Sequence, residues 1–295
     1  MARDRDNLRK MIQEFGFGAM EDELMSFARP SIRIYTKPVE DEEQIPIGAS
    51  KIGGRPDLPR HINWMPVNQD KPVSLPFIGQ FNLKDVKTYD FEDLLPAKGI
   101  LYFFADPFCS PDKDTGHAFF FDGDPELLER KPFPDDIPAN IPFEQGERYH
   151  PCAIEFVSEV NLPFFDANWK EPTIYPEGKT WQDFYEILYA ASYTQPSPPH
   201  DRTVNRLLGY NYDIPSDLQL DCELTIKEGS PYVNSWEMQA KYEESKARWQ
   251  LLFQMDSDHN ARMMWSDSGS ICFYIPREDL LVRNFDNVCL AFFTA

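Results

Sequence analysis

The sequence predicts an α+β fold, built mainly from antiparallel sheets with helices at the periphery. Strand candidates follow one another locally and are separated by short helical segments, an order that favours antiparallel pairing over a doubly wound parallel sheet. The chain has 26 prolines and only 14 glycines. Because proline interrupts helices and central strands, we expect short elements joined by long surface connections. A strand pair that occurs twice supplies the third observation.

Each copy of this strand pair is an apolar run with a single glutamine, followed by a spacer and an aromatic run that begins with glycine. The glutamines are Gln80 and Gln254. The copies comprise residues 75–82 with 99–104, and residues 251–256 with 269–274. We therefore predict an internal duplication, with repeat units near 73–105 and 249–275, in which two similar units share one core.

The N-terminal segment, residues 1–30, is predicted to be helical. Apolar residues at helical spacing indicate a first helix over residues 4–15, which ends at Gly16. A second short helix is expected around residues 24–27, before Pro30. A strand containing Ile32 and Ile34 then begins the sheet.

The middle of the chain is predicted to contain strands divided by proline-rich connections. Gly53 to Pro59 forms an irregular turning segment, because glycine and proline dominate it. A short helix is expected between the first repeat's strands. Further strands are expected at residues 117–121 and 153–160, separated by a proline-rich loop over 132–142.

In the C-terminal half, Thr180 and Asp183 resemble a capping box that opens a helix. Residues 195–199 are the best candidate for a linker, and Gly209 is predicted to end a helix. The predicted elements of this half are helices over 201–208 and 235–248, a strand over 249–255, a helical turn at 277–280 and a terminal strand over 288–292.

Composition limits the classes of function. Hydrophobic residues make up 42% of the 295 residues, enough for a large core, and we expect one domain over 1–295. The formal net charge of −20 argues against binding nucleic acid or an anionic membrane. No run approaches the length of a transmembrane helix, and the widely spaced cysteines form no disulfide framework. We therefore expect a cytoplasmic protein.

One loop has the spacing of a cation site. Asp256, Asp258 and Asn260 occupy the first, third and fifth places of a calcium-loop pattern, and Asp267 occupies the twelfth. Ala261 stands where such a loop needs glycine for its sharp turn. We favour the alternative, a polar hairpin loop whose side chains bond their own backbone, over a site for calcium or another divalent cation.

Two glutamines and two tryptophans are the candidates for a binding site. Gln80 and Gln254 interrupt apolar strands, so each amide needs a partner, within the protein or in a pocket that the repeats share. Trp64 and Trp265 are either pocket aromatics or core anchors. For all four residues we favour the structural role, and the pocket between the repeats is the alternative.

Several ordered motifs resemble the YwqG-like family, a bacterial domain of uncharacterised function. The resemblance spans about residues 50–290 and rests on the stretches 53–59, 76–83, 99–104, 207–210, 251–258, 264–269 and 284–288, together with Trp64. It implies a single α+β domain of the bacterial cytosol and supplies no reaction. Some members of that family are suspected to lie beside polymorphic toxins, which implies an immunity role or a partner-binding role.

The sequence contains no phosphate-binding glycine loop, no nucleophile elbow and no zinc-protease motif. We therefore expect a non-catalytic protein of the toxin-immunity type that binds a protein partner, and the strongly acidic composition favours a basic partner. The alternative is a ligand-dependent or cation-dependent enzyme that uses Gln80, Gln254, Asp256, Asp258 and Asp267.

Overall fold

The structure is a computed structural model that describes most of the chain. The described residues are 2–64, 74–106, 114–135, 148–164, 167, 169, 172, 174–192, 203–212, 217–232 and 236–293. The helices are Ala2–Glu14 (α1), Glu21–Phe27 (α2), Leu83–Val86 (α3), Trp181–Ser192 (α4), Leu218–Glu228 (α5), Trp236–Tyr242 (α6) and Arg277–Leu281 (α7). The strands are Arg29–Pro38 (β1), Lys51–Ile52 (β2), Asp57–Pro59 (β3), Phe77–Asn82 (β4), Ile100–Ala105 (β5), Gly116–Phe121 (β6), Leu128–Arg130 (β7), Cys152–Asn161 (β8), Asn205–Leu207 (β9), Trp249–Asp256 (β10), Ser270–Pro276 (β11) and Cys289–Phe293 (β12).

The strands form one large sheet and one small one. The ten-stranded sheet has the order β12-β11-β10-β9-β1-β8-β2-β4-β5-β6, and β3 pairs with β7 separately. All of these pairs are antiparallel. The expectation of an α+β fold with mainly antiparallel sheets is therefore confirmed.

The large sheet is centred on the long pair β1 and β8 and curls until its two edge strands approach each other. β1 and β8 pair along ten residues without a register shift. At the edges, a Cβ placed on Gly116 of β6 would lie 2.4 Å from the Cβ of Leu290 in β12. The sheet is thus nearly closed around an interior.

Aromatic side chains from both halves of the sheet fill that interior. The rings of Phe103 and Phe253 lie 4.8 Å apart, and Phe103 also contacts Phe273 at 4.8 Å. Phe81 lies 5.0 Å from Phe253. All four side chains are fully buried. The core therefore joins the two halves directly, as aromatic contacts at these distances favour.

Helices cover the sheet at its periphery. α1, α2 and α4 bury a cluster that includes Leu8, Leu24 and Phe184, against residues at the end of β8. α5 packs on the outer face of β10 to β12 and was not predicted from the sequence. Its buried residues lie on more than one side of the helix and include Gln219 and Glu223, so no single apolar stripe marks it.

The two Gln-containing hairpins have the same local geometry. Gln80 lies opposite Tyr102 and Gln254 opposite Cys272, and each hairpin has a register shift just before its glutamine. The carbonyl group at each shift accepts a hydrogen bond from the strand on the other side: Ile78 from the Gly53 amide at 2.8 Å, and Leu252 from the Leu208 amide at 3.2 Å.

Two helix predictions in the C-terminal half were wrong. Residues 205–207 form the strand β9, because β1 and β10 lie on either side and supply backbone partners. Local propensity favoured a helix there, and tertiary pairing overrode it. The helix predicted over 235–248 is interrupted, with α6 ending at Tyr242 and a 3-10 turn over Ser245–Arg248.

Some predictions lie outside the described residues. These are the linker at 195–199, most of the proline-rich loop over 132–142, and the first residues of the helix expected over 201–208. Among the described residues, no helix combines the length and the apolar character needed to cross a bilayer. The single domain over 1–295 stays a prediction.

Candidate functional site

Gln80 is fully buried on the outer face of the sheet and its amide is completely used. The Oε1 atom accepts the backbone N–H of Asp57 at 2.8 Å. The Nε2 atom donates to the Ala49 carbonyl at 2.8 Å and to Oδ2 of Asp57 at 2.9 Å. Gln80 therefore pins the segment around residues 49–57 onto β4, and it presents no free group to a ligand.

Gln254 does the same in the second half of the sheet. The Oε1 atom accepts the Tyr212 N–H at 2.9 Å, and Nε2 donates to the Tyr212 carbonyl at 3.4 Å and to Oδ1 of Asp256 at 2.8 Å. Each glutamine thus holds an amide N–H, a carbonyl and an aspartate. The structure separates the two glutamines onto different strands and gives each its own loop.

The two tryptophans are buried core residues. Trp64 is 8% exposed and Trp265 is 2% exposed. The Trp64 indole donates to the Leu75 carbonyl at 2.6 Å, and the Trp265 indole donates to the Met255 carbonyl at 2.9 Å. These contacts fit the structural role, because buried indoles need one acceptor and have it.

The predicted cation loop is a hairpin held by its own backbone. Asp258 and Met263 exchange backbone hydrogen bonds at 2.8 and 3.0 Å. Oδ1 of Asp258 accepts the Asn260 N–H at 2.8 Å and the Ala261 N–H at 3.2 Å. Oδ2 accepts from Thr36 and Asn205, both at 2.8 Å. This geometry favours the polar hairpin over the metal site.

The other members of the loop pattern do not converge on Asp258. Asp256 accepts hydrogen bonds from Gln254, Ser270 and the Val204 amide, and burial raises the pKa of its carboxyl group. Asn260 donates to the Thr36 carbonyl at 3.1 Å, and Asp267 is exposed. Within the described ranges, no group of three or more His, Cys, Asp or Glu side chains is placed to hold a metal ion.

The buried cysteines described by the structure are poor candidates for nucleophiles. Burial raises the pKa of Cys152 to about 12 and raises the pKa of Cys222 and Cys272 well above the ordinary range. A thiol reacts as the thiolate, so a raised pKa makes it inert at neutral pH. Cys109 lies outside the described residues.

A buried ionic cluster anchors the segment that Gln80 holds. The Lys51 ammonium lies 3.1 Å from a carboxylate oxygen of Glu42 and 3.1 Å from one of Asp57. The Arg130 Nε atom lies 2.9 Å from the same Asp57 oxygen. Burial lowers the pKa of Lys51, and the two carboxylates oppose that shift. Because every oxygen of Asp57 is engaged, we assign the cluster to fixing the loop.

An open cavity of about 720 Å³ lies beside this anchored segment. Three parts of the chain meet there: the segment following β1, the helix α3 with its following turn, and β8. Its lining includes Val39, Gln44, Ile45, Pro46, Ala49, Ser50, Lys84, Asp85, Thr88, Tyr89, Ala153, Ile154, Glu155 and Phe156. The size suits a small molecule or an extended piece of chain.

The cavity exists because β2 is too short to cover β8. β2 pairs with β8 only through Lys51 opposite Ala153 and Ile52 opposite Cys152. No described strand pairs with β8 on that side beyond Ala153. The sheet therefore has a gap there, with α3 and the residues that follow it forming the opposite wall.

The cavity has an acidic bias. Asp85 and Glu155 are exposed, and neither makes an ion pair with a described residue. Among the lining residues that the structure describes, Lys84 is the one cation. Glu40, which follows the lining residue Val39, is also exposed. A cationic group entering the cavity would meet two carboxylates with free charge.

Sequence reasoning missed this cavity and its residues. The acidic run at 40–43 was visible as the densest acidic cluster, and it adjoins Gln44 at the cavity wall. Nothing in the sequence pattern marks Asp85 or Glu155 as site residues, because isolated acidic residues are common on protein surfaces. Only the tertiary pairing of β8 with a two-residue strand reveals where they meet.

Comparison with known proteins gives one family and no activity. A family model described as a domain of unknown function, DUF1963, matches residues 50–292. None of the curated proteins matches the chain. The matched range contains both Gln hairpins and most of the cavity, and it begins after α1, α2 and β1.

Proposed function

This chain belongs to the DUF1963 family, which has no assigned activity, so we propose a function from the site itself: a non-catalytic protein that binds a basic protein partner. The observation that carries the proposal is the open cavity beside β8, where Asp85 and Glu155 carry charges that no described residue neutralises. Complementary charge speeds encounter and discriminates against wrong partners.

The overall charge supports the same proposal. A net charge of −20 gives the protein a net negative field, which attracts a basic partner over a distance of about one Debye length, about 8 Å at physiological salt. The proposal has three more specific parts: a cytoplasmic location, a relationship to the YwqG-like family and an immunity role towards a toxin. They rest on composition and on the resemblance of the motifs.

The enzyme alternative receives no comparable support. It required Gln80, Gln254 and Asp256 to face a shared pocket, and each of these side chains is engaged in internal hydrogen bonds. The cavity lining contains none of the residues named for that alternative. We therefore retain partner binding as the proposed function.

The internal duplication belongs to this proposal as well. The sheet order places β9 and β2, β10 and β4, β11 and β5, and β12 and β6 at matching distances from the β1–β8 centre. The shared register around Gln80 and Gln254 supports a common origin. Aligning the two halves across many relatives tests the duplication, and a lack of detectable similarity between their averaged patterns would count against it.

Partner capture with charge variants tests the function. The tagged protein and the double variant Asp85→Asn with Glu155→Gln are used to capture partners from the native cell lysate at low and high salt. The matched control is Glu186→Gln with Glu237→Gln, which removes the same charge from exposed positions on α4 and α6.

We expect a basic protein that the wild type and the control retain and that the cavity variant loses roughly tenfold or more, with weaker capture at high salt. Recovery of no partner, or equal retention by both variants, would overturn the proposal. Thermal unfolding of both variants shows whether each remains folded.

A further inference from the structure

We propose that the cavity receives its partner as an added β-strand, an extended basic segment that pairs with the open edge of β8 at Phe156. This inference rests on the proposed function and specifies its binding mode. Strand addition draws affinity from main-chain hydrogen bonds and specificity from alternate side chains. The edge, its direction and its neighbours each follow from the register of the sheet.

The main-chain groups of Phe156 point into the gap. The Val39 N–H donates to the Pro151 carbonyl at 3.1 Å, so the pair 39–151 is a hydrogen-bonded pair of the β1–β8 ladder. The register is unbroken from that pair onward, and hydrogen-bonded pairs alternate with non-hydrogen-bonded ones. Ile34 and Phe156 therefore form a non-hydrogen-bonded pair, and Phe156 directs its N–H and C=O away from β1.

No described residue takes up these groups. β2 ends its pairing with β8 at Ala153, and no described hydrogen bond reaches the Phe156 main chain from the cavity side. Phe156 lines the cavity, so the strand edge and the open volume coincide. Unpaired strand edges are templates for pairing with another chain, and proteins usually cover them.

The other half of the sheet closes the equivalent edge with its own side chains. Lys51 lies between Ala153 and Gln80, as Arg206 lies between Arg33 and Gln254. Ala153 of β8 therefore occupies the position that Arg33 occupies in β1. Three residues after each of these lie Phe156 and Thr36, which are equivalent positions of the two halves.

The main chain of Thr36 is capped where that of Phe156 is open. The Asn260 amide donates to the Thr36 carbonyl at 3.1 Å, and the Thr36 hydroxyl donates to Asp258 at 2.8 Å. The hairpin loop that contains Asp258 and Asn260 therefore covers the edge of β1 at Thr36. The Phe156 gap has no such loop among the described residues.

The surroundings select a segment in which basic and apolar residues alternate. Successive side chains of a strand point to opposite faces, so Glu155 and Phe156 face opposite sides of the sheet. Side chains of an added strand on the Glu155 face would meet a free carboxylate. Those on the other face would meet the rings of Phe156 and Tyr89, which lie 5.8 Å apart.

Binding of backbone-methylated peptides tests strand addition directly. The probe is a short capped peptide in which lysine and valine alternate. Two further peptides carry N-methyl groups only on the lysines or only on the valines. We expect the parent peptide to bind and to slow hydrogen exchange of the Phe156 amide. One methylated peptide should bind at least roughly tenfold more weakly, because only alternate N–H groups face β8.

Variants of the cavity wall provide the control. Thr88→Trp fills the cavity from an exposed position and should abolish peptide binding, whereas Thr88→Ala should retain it, with similar unfolding curves for both. Equal binding of both methylated peptides, or failure of the parent peptide to bind, would overturn strand addition. If partner capture nevertheless depends on Asp85 and Glu155, the proposed function stands and only this binding mode fails.

Discussion

Buried polar side chains in this sheet are held by partners that are distant in the sequence. Gln80 bonds Asp57, 23 residues away, and Gln254 bonds Tyr212, 42 residues away. The sequence marked both glutamines, because a polar residue in an apolar strand needs a partner. It did not identify the partners, since irregular loops supply them. Both amides therefore act as pins between a strand and a loop.

Replacing either glutamine by methionine keeps the volume and removes every hydrogen bond. For Gln80→Met we expect a loss of about 2–4 kcal/mol in the free energy of unfolding, because the Asp57 amide and carboxylate lose a partner while buried. Gln254→Met should cost a similar amount. Urea denaturation measures both, with Gln182→Met on the exposed face of α4 as the control. A loss as small as the control's would contradict this role.

Asp221 makes the free energy of unfolding depend on pH. Burial, with a smaller contribution from Asp217, raises the pKa of Asp221 from its ordinary 3.8 to about 6. The folded state therefore holds this proton more tightly than the unfolded state. Protonated Asp221 therefore contributes its full share to the free energy of unfolding at low pH, and this contribution is lost as the pH rises from about 4 to about 6.

Asp221→Asn should accordingly stabilise the protein by about 2 kcal/mol at pH 7 and have little effect near pH 4. Urea denaturation across that range measures the difference between variant and wild type. Asp267→Asn, at an exposed position, controls for loss of charge alone. A difference for Asp221→Asn that does not change with pH would show that burial of its charge costs nothing.

At the scale of elements, short strands and sharp turns shape the candidate site. β2 ends at a pair of glycines, Gly53 and Gly54, with φ of +66° and +69°. Leu208 and Gly209 follow β9 with φ of +61° and +73°. Turning the chain away at these points ends each short strand. The uncovered part of β8 lies beyond Ala153, beside the residues that precede Lys51, so it is the late start of β2 that leaves it open. The sequence predicted the turn but not the gap.

Gly53→Ala should be more damaging than an ordinary substitution at positive φ. A Cβ on Gly53 would lie 2.3 Å from the His150 carbonyl oxygen, a main-chain atom that cannot move freely. Gly178 has a similar φ of +77° and nothing within 4 Å of its Cβ position. We expect Gly178→Ala to cost about 1 kcal/mol and Gly53→Ala at least about 2 kcal/mol more. Equal losses in urea denaturation would show that the contact relaxes without cost.

At the scale of the whole molecule, one curled sheet carries a large negative charge. The two halves share their aromatic core, and Phe120 near one edge contacts Phe285 near the other at 5.3 Å. The net charge of −20 produces self-repulsion in the compact state, because like charges are held closer together there than in the unfolded chain. The same charge favours the basic partner that we propose.

Screening this repulsion should stabilise the protein. We expect the free energy of unfolding at pH 7 to rise by on the order of 1 kcal/mol when sodium chloride increases from about 20 mM to about 300 mM. Urea denaturation at the two salt concentrations measures the change. Near pH 4.6, where the net charge approaches zero, the salt effect should largely disappear. Stability that falls with salt at pH 7 would mean that internal ion pairs outweigh the surface repulsion.

The sequence by itself determined the class of fold, most strand positions and the residues that needed buried partners. These follow from local patterns, namely alternation of apolar residues, turn residues and isolated polar residues in apolar runs. Tertiary structure alone decided that residues 205–207 form a strand, that α5 is buried on several sides and that β8 has an open edge. Each of these depends on which distant segment lies alongside, because strand pairing and burial are contacts between residues far apart in the chain.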